Sequence, residues 1–152
     1  MERYHGHGAA AVGTAKAILN LFRSAASPTS RARIFEFNVG CVATPADLAT
    51  RFSIIRTTAV GTEDAGFTPV NLDPGGPASQ SDFGVGFTGG EPTKTANSEL
   101  YTFSLNQRAT FRWVAAPDCE LVLPATQNNG AALQSVSSGG TTQHEATILF
   151  LE

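Results

Sequence analysis

Short runs of Phe, Ile, Val, Leu and Thr recur along the chain, and several alternate strictly between apolar and polar residues. In "RIFEFNVG" (33–40), Phe35, Phe37 and Val39 fall on one face, while Glu36 and Asn38 fall on the other. In "LYTFSLN" (100–106), Tyr101, Phe103 and Leu105 alternate with Thr102 and Ser104. A repeat of two marks a strand with one buried face. The other runs are "KAILNLFRS" (16–24), "TRFSIIRTTA" (50–59), "FTPVNLD" (67–73), "FGVGFT" (83–88), "ATFRWVA" (109–115), "ELVLP" (120–124), "AALQSVS" (131–137) and "HEATILFL" (144–151). Turn signals such as "GTEDAG", "DPGGP", "TGGEP", "QNNG" and "SSGG" separate them. In these, Gly supplies positive φ, and Pro and Asn preset the turn.

Ten such runs joined by short loops predict one all-β domain over residues 14–152, an antiparallel sandwich or barrel with little helix. Only "TPADLATRF" (44–52) reads as helical, for a turn or two, with Thr44 as cap and Pro45 at the first helical position. Residues 1–13, "MERYHGHGAAAVG", show no period and read as an extended N-terminal arm outside the core. Within the domain, "LYTFSLN" and "ATFRWVA" read as a hairpin joined through Gln107 and Arg108. Phe111 and Trp113 then share a face and pack on Tyr101 and Phe103, which with Phe37 places these aromatics in the core. Arg112 falls on the wet face beside Thr102 or Ser104.

Composition narrows the class. Charged residues make up only 15% of the 152, against an average of about 25%, so the surface is built largely from Ser, Thr, Asn, Gln and Gly. A net charge of −3 gives no general attraction to nucleic acid or to an anionic membrane. No apolar run approaches the ~20 residues that span a bilayer. The N-terminus lacks a basic start followed by an apolar block, so the chain reads as unprocessed and made in the cytoplasm of its host. Cys41 and Cys119 read as buried free thiols, with a pairing between them left open.

Candidate chemistry is sparse. His5 and His7 form an H-x-H pair that needs a third ligand for tight metal binding, and His144 is remote in sequence. There is no G-x-S-x-G elbow, and Cys41 or Cys119 with His144 is the only arithmetical nucleophile–base pair. Glu36, Glu99, Glu120 and Glu145 sit at strand starts or on wet faces, unlike paired glycosidase carboxylates. "GVGFTGG" (84–90) has no Lys and opens no helix, so it reads as an edge strand rather than a phosphate cradle. The residues therefore point away from an enzyme, with no catalytic, cofactor or metal site assigned.

"SRARIFEFNVGCVATPADLATRFSIIRTTAVGT", "TPVNLDP", "LYTFSLNQRATFRWVAAPDCELVLPAT", "NNGAALQSVS" and "HEATILFLE" together resemble the small β-sandwich proteins of tailed-bacteriophage virions, in particular head decoration, or cement, proteins. The resemblance covers Ser30 to Glu152. It implies a jelly-roll-like sandwich that works as a homo-oligomer, most often a trimer, clamped over junctions of the major capsid protein on the outer surface of the virion. On that expectation the arm engages a neighbour through Tyr4, His5, His7 and Val12. The competing expectation is a carbohydrate- or receptor-binding sandwich of a phage tail or fibre. Its sites would lie on loops 61–66 and 73–82, near Phe67 and Phe83.

Overall fold

The computed structural model describes residues 1–152 and contains strands, turns and loops but no helix. Twelve strands follow in chain order. The first six are β1 (Arg3–Ala11), β2 (Lys16–Arg23), β3 (Arg33–Cys41), β4 (Ala49–Ala59), β5 (Ala65–Phe67) and β6 (Val70–Asn71). The others are β7 (Ser81–Val85), β8 (Thr93–Asn106), β9 (Phe111–Val114), β10 (Leu121–Val122), β11 (Gly130–Ser138) and β12 (Gln143–Leu151). They form two antiparallel sheets. One has the order β10-β3-β12-β1-β6, with β9 also on the outer edge of β3, and the other has the order β5-β7-β2-β11-β4-β8.

The chain is zipped from both ends. β1 pairs with β12 over nine residues, β2 pairs with β11, and β12 and β11 then pair on their far sides with β3 and β4. The inner faces meet in one core. Tyr4, Ile34, Phe37, Ile148 and Phe150 come from the first sheet, and Leu21, Phe52, Ile54, Phe83 and Leu133 from the second. Each of the larger side chains contributes about 1.5–3 kcal/mol on full burial. A smaller cluster of Ala17, Ile55, Phe87 and Ala132 covers part of the second sheet's other face, which explains why β2 is buried along nearly its whole length.

The expected arm is instead strand β1, paired with β12 over its whole length. Its alternation is hidden because the inward positions include glycines. Gly6 and Gly8 face the second sheet so closely that a Cβ would lie 2.1 Å from the Phe83 ring at one and 2.4 Å from Val85 at the other. Glycine is needed there because it lets Phe83 and Val85 fill the space a side chain would take. Tyr4 and Val12, at either end of the same face, are buried.

Three local expectations also change. Residues 44–48 are irregular, and the expected helix gives way to β4, where Phe52 and Ile54 point inward and β-branched Thr50, Ile55 and Thr57 favour extended backbone. The run expected as an edge strand supplies β7, which lies between β5 and β2. In β3 the register jumps between Leu149 and Phe150, so that Glu36 pairs with Leu149 and Ile34 with Phe150. Phe35 is left as the bulged residue, and Ile34 takes the core position beside Phe37.

The expected hairpin is split between the sheets. β8 pairs with β4 and β9 pairs with β3, so Gln107 and Arg108 turn a corner from one sheet to the other. The face assignment still holds, because the same aromatic side chains meet across the sandwich. Phe103 stacks on Phe111 with centroids 4.1 Å apart, Tyr101 lies 5.6 Å from Trp113, and Trp113 stacks on Phe37 at 5.2 Å. Phe37 is fully buried, whereas Phe103, Phe111 and Trp113 are half-buried because they close the sandwich at its edge. Arg112 does lie on the wet face, but its partner is Glu36, held by two bonds of 2.7 and 3.0 Å.

Candidate functional site

The surface that stands out is the outer face and free edge of β1. His5 and His7 project from the outer face side by side, with ring centroids 5.4 Å apart, and His7 lies 6.3 Å from Phe67. Burial, and then repulsion from His7, push the His5 proton affinity below the usual imidazole range. The two rings offer nitrogen ligands, but no third His, Cys, Asp or Glu joins them in a metal-holding group.

The edge of β1 is open because β6 is short. β6 pairs only with Tyr4 and His5, and the Leu72 N–H donates to the Arg3 carbonyl at 2.8 Å. Even-numbered residues bond to the β12 side, as the Glu2–Glu152 pair (2.8 and 3.1 Å) and the Val12–Thr142 bond (3.1 Å) show. His7, Ala9 and Ala11 therefore aim their N–H and C=O groups at the open edge. Beside it runs a groove of about 330 Å³ between the sheets, floored by Ala17, Val85 and Phe87. Lys16, Asp64 and Glu91 stand at its rim, and Glu91 is held by Lys16 (3.5 Å), Lys94 (3.1 Å) and the Ala17 N–H (2.8 Å). Exposed Val70 and Leu72 lie on and just after β6, at the start of β1, where Met1 and Leu72 stand among Glu2, Arg3 and Asp73.

Edge strands in monomers are ordinarily blunted by charge, proline or bulges. β8, at the edge of the other sheet, carries Lys94 and Glu99 and shows three register shifts against β4. β1 pairs with β12 without any shift, and the chain bears no Lys, Arg, Asp or Glu between Arg3 and Lys16.

Of the four expected contact residues, only His5 and His7 are presented outward. Tyr4 stacks on Phe150 at 5.4 Å and donates its hydroxyl to the Pro77 carbonyl at 3.1 Å, and Val12 lies in the core. Both side chains are buried within the chain itself. Ala9 and Ala11 fall within the "AAAV" run (9–12) of the expected arm, whereas Val70 and Leu72 were read only as part of a strand run. The available signal was the uncharged stretch from Tyr4 to Ala15.

The candidate reactive groups disperse. His144 and Glu145 are neighbours on a strand and so face opposite sides, with His144 buried in the core. Cys41 and Cys119 are free, but they are not buried as expected. Cys41 is half-buried at the end of β3, and Cys119 is exposed in the turn before β10. Phe83 is fully buried and Phe67 stacks on it at 5.3 Å, so neither forms an exposed platform on the long loops. A separate polar cluster at the opposite end from Cys41 holds buried Arg23, which pairs with the Glu152 carboxylate and donates to Ser81 Oγ at 2.7 Å.

Set beside family models, curated proteins and solved structures, the chain matches none. Its functional reading therefore draws on its own surface and strand order.

Proposed function

We propose that this chain is a structural virion protein that decorates and stabilises a bacteriophage capsid, docking as a homo-oligomer over junctions of the major capsid protein. The observation that carries the proposal is the open, uncharged edge of β1 beside exposed Val70 and Leu72. Such an edge supplies ready hydrogen-bond donors and acceptors to an extended segment of another chain, and its apolar flank adds burial. A contact this small is weak singly. Repeated by a symmetric oligomer, with three copies the arrangement the resemblance favours, it gains avidity on a symmetric lattice.

The strand order supports the same reading. Set apart from the short β5, β6 and β10 and the inserted β7, the strands run β1-β12-β3-β9 in one sheet and β2-β11-β4-β8 in the other. That order follows the winding expected of an eight-stranded jelly roll, a fold that recurs in viral capsid domains, and so favours the reading.

The test is co-sedimentation of the purified protein with empty capsid shells, with the copy ratio measured. Wild-type protein should pellet at a fixed ratio set by the lattice. An Ala9→Lys/Ala11→Lys variant, which places charge beside the open edge on the outer face, should keep its thermal stability and lose occupancy. Wild-type protein that never pellets with shells overturns the capsid role, and full occupancy by the variant overturns the β1 edge as its docking surface.

A further inference from the structure

His144 is the second residue of β12, yet its ring is fully buried on the inner face. Its Nδ1 lies 3.1 Å from the Thr142 carbonyl, its Nε2 has no partner, and its centroid is 5.4 Å from that of Phe52. Across the sheet its register partners are Ala10 on β1 and Cys41 on β3, whose thiol donates to the Ala43 carbonyl at 3.5 Å. The surroundings are thus a methyl, a thiol and an arene. Asp47 and Arg108, the charged residues of the adjoining loops, are exposed, and no charged side chain acts on the ring. Burial lowers its proton affinity more than the Thr142 carbonyl raises it.

Thr142 joins this ring to the neighbouring loops. Its carbonyl accepts from the Val12 N–H at 3.1 Å as well as facing His144. Its hydroxyl donates to Gln107 Oε1 at 3.1 Å, and the same oxygen accepts from the Ala46 N–H at 3.1 Å. Gln107 is buried, with its own Nε2 unpartnered. Four connecting segments, 12–15, 42–48, 107–110 and 139–142, are thereby held at one end of the sandwich through Thr142, Gln107 and His144.

We infer that this end of the sandwich is an acid-released latch: a proton on the buried His144 ring frees the loops around Thr142 and Gln107 while the two sheets stay folded. The added proton creates a charge with no counter-ion and an Nε2–H with no acceptor, both unfavourable in a dry interior. The relief is local. His144 pairs with Cys41, the last residue of β3, so peeling Gln143 and His144 away exposes the ring and breaks only the ends of two ladders. This device does not depend on the capsid reading.

Hydrogen exchange of the full chain at pH 7.5 and pH 5.0, corrected for intrinsic chemical rates, tests it. Amides in the four segments and at residues 143–144 should open at least tenfold more at pH 5.0, while β2 and β11 stay unchanged. His144→Leu should abolish the difference, and His144→Gln serves if the leucine variant does not fold. In the wild type, the ring titration of His144 followed by NMR should share its midpoint with the loop opening. Equal opening at both pH values, a uniform increase over all strands, an acid response retained without the imidazole, or mismatched midpoints would each overturn the latch.

Discussion

Gly6→Ala offers a sharp test of β1 as a packed strand. The new Cβ would lie 2.1, 2.3 and 2.8 Å from three carbons of the Phe83 ring. Ordinary carbon contacts are about 3.5–4 Å, so the ring must retreat by more than 1 Å. It has little room, being fully buried with Phe67 stacked at 5.3 Å and Phe150 edge-on at 5.9 Å. Overpacking of this kind costs about 3 kcal/mol, at the upper end of its usual range. Stiffening the unfolded chain returns about 0.4–1 kcal/mol, leaving a net loss of about 2 kcal/mol. For a chain of this size that lowers Tm by about 4–8 °C, read by circular dichroism. In a Phe83→Leu background the same substitution should cost less than about 1 kcal/mol, because the clashing ring edge is gone. Gly13→Ala is the control, since its Cβ meets only the flexible Lys16 side chain, at 3.1 and 3.9 Å. An unchanged Tm for Gly6→Ala would mean that β1 does not pack against β7, and the account of the first strand would fail.

Arg23→Met should destabilise by about 3 kcal/mol in urea titrations, because it strands the nearly buried Glu152 carboxylate. Adding Glu152→Gln should recover part of that loss, and no recovery would refute the pairing. Phe37→Ala should cost about 4 kcal/mol and half-buried Trp113→Ala about 2 kcal/mol. A double-mutant cycle between them should show a coupling of about 0.5–1.5 kcal/mol from their stacking, and strict additivity would argue against it. The depressed proton affinity of His5 means that the unfolded chain takes up its proton first as pH falls through about 6.5. The stabilising effect of a neutral His5 is therefore complete above that pH and is lost as pH drops through its folded-state value. Unfolding free energies at pH 7.5, 6.5 and 5.5 should fall less steeply for His5→Gln than for wild type, and identical slopes would exclude this contribution.

The strands that could be read directly were those whose inward residues are large. Phe37 and Val39, or Tyr101 and Phe103, announce a buried face without reference to any partner. β1 could not be read this way because half of its meaning lies in another strand. Gly6 and Gly8 look like flexible spacers until Phe83 and Val85 occupy the space above them. The same limit hid the candidate docking edge. An uncharged stretch is visible in the chain, but its availability depends on β6 ending after two residues.

By itself the sequence determined the class of structure and which side of most strands is dry, because a period of two and turn-forming residues act over a few positions. The tertiary structure alone decided partners. It sent β8 and β9 to opposite sheets, so that Phe103 meets Phe111 across the core rather than along a hairpin. It also brought His144 beside Cys41 and beneath Phe52, and Arg23 against Glu152. Pairings between residues so far apart follow from how the faces of the whole chain can be buried at once, and no local window of sequence contains that condition.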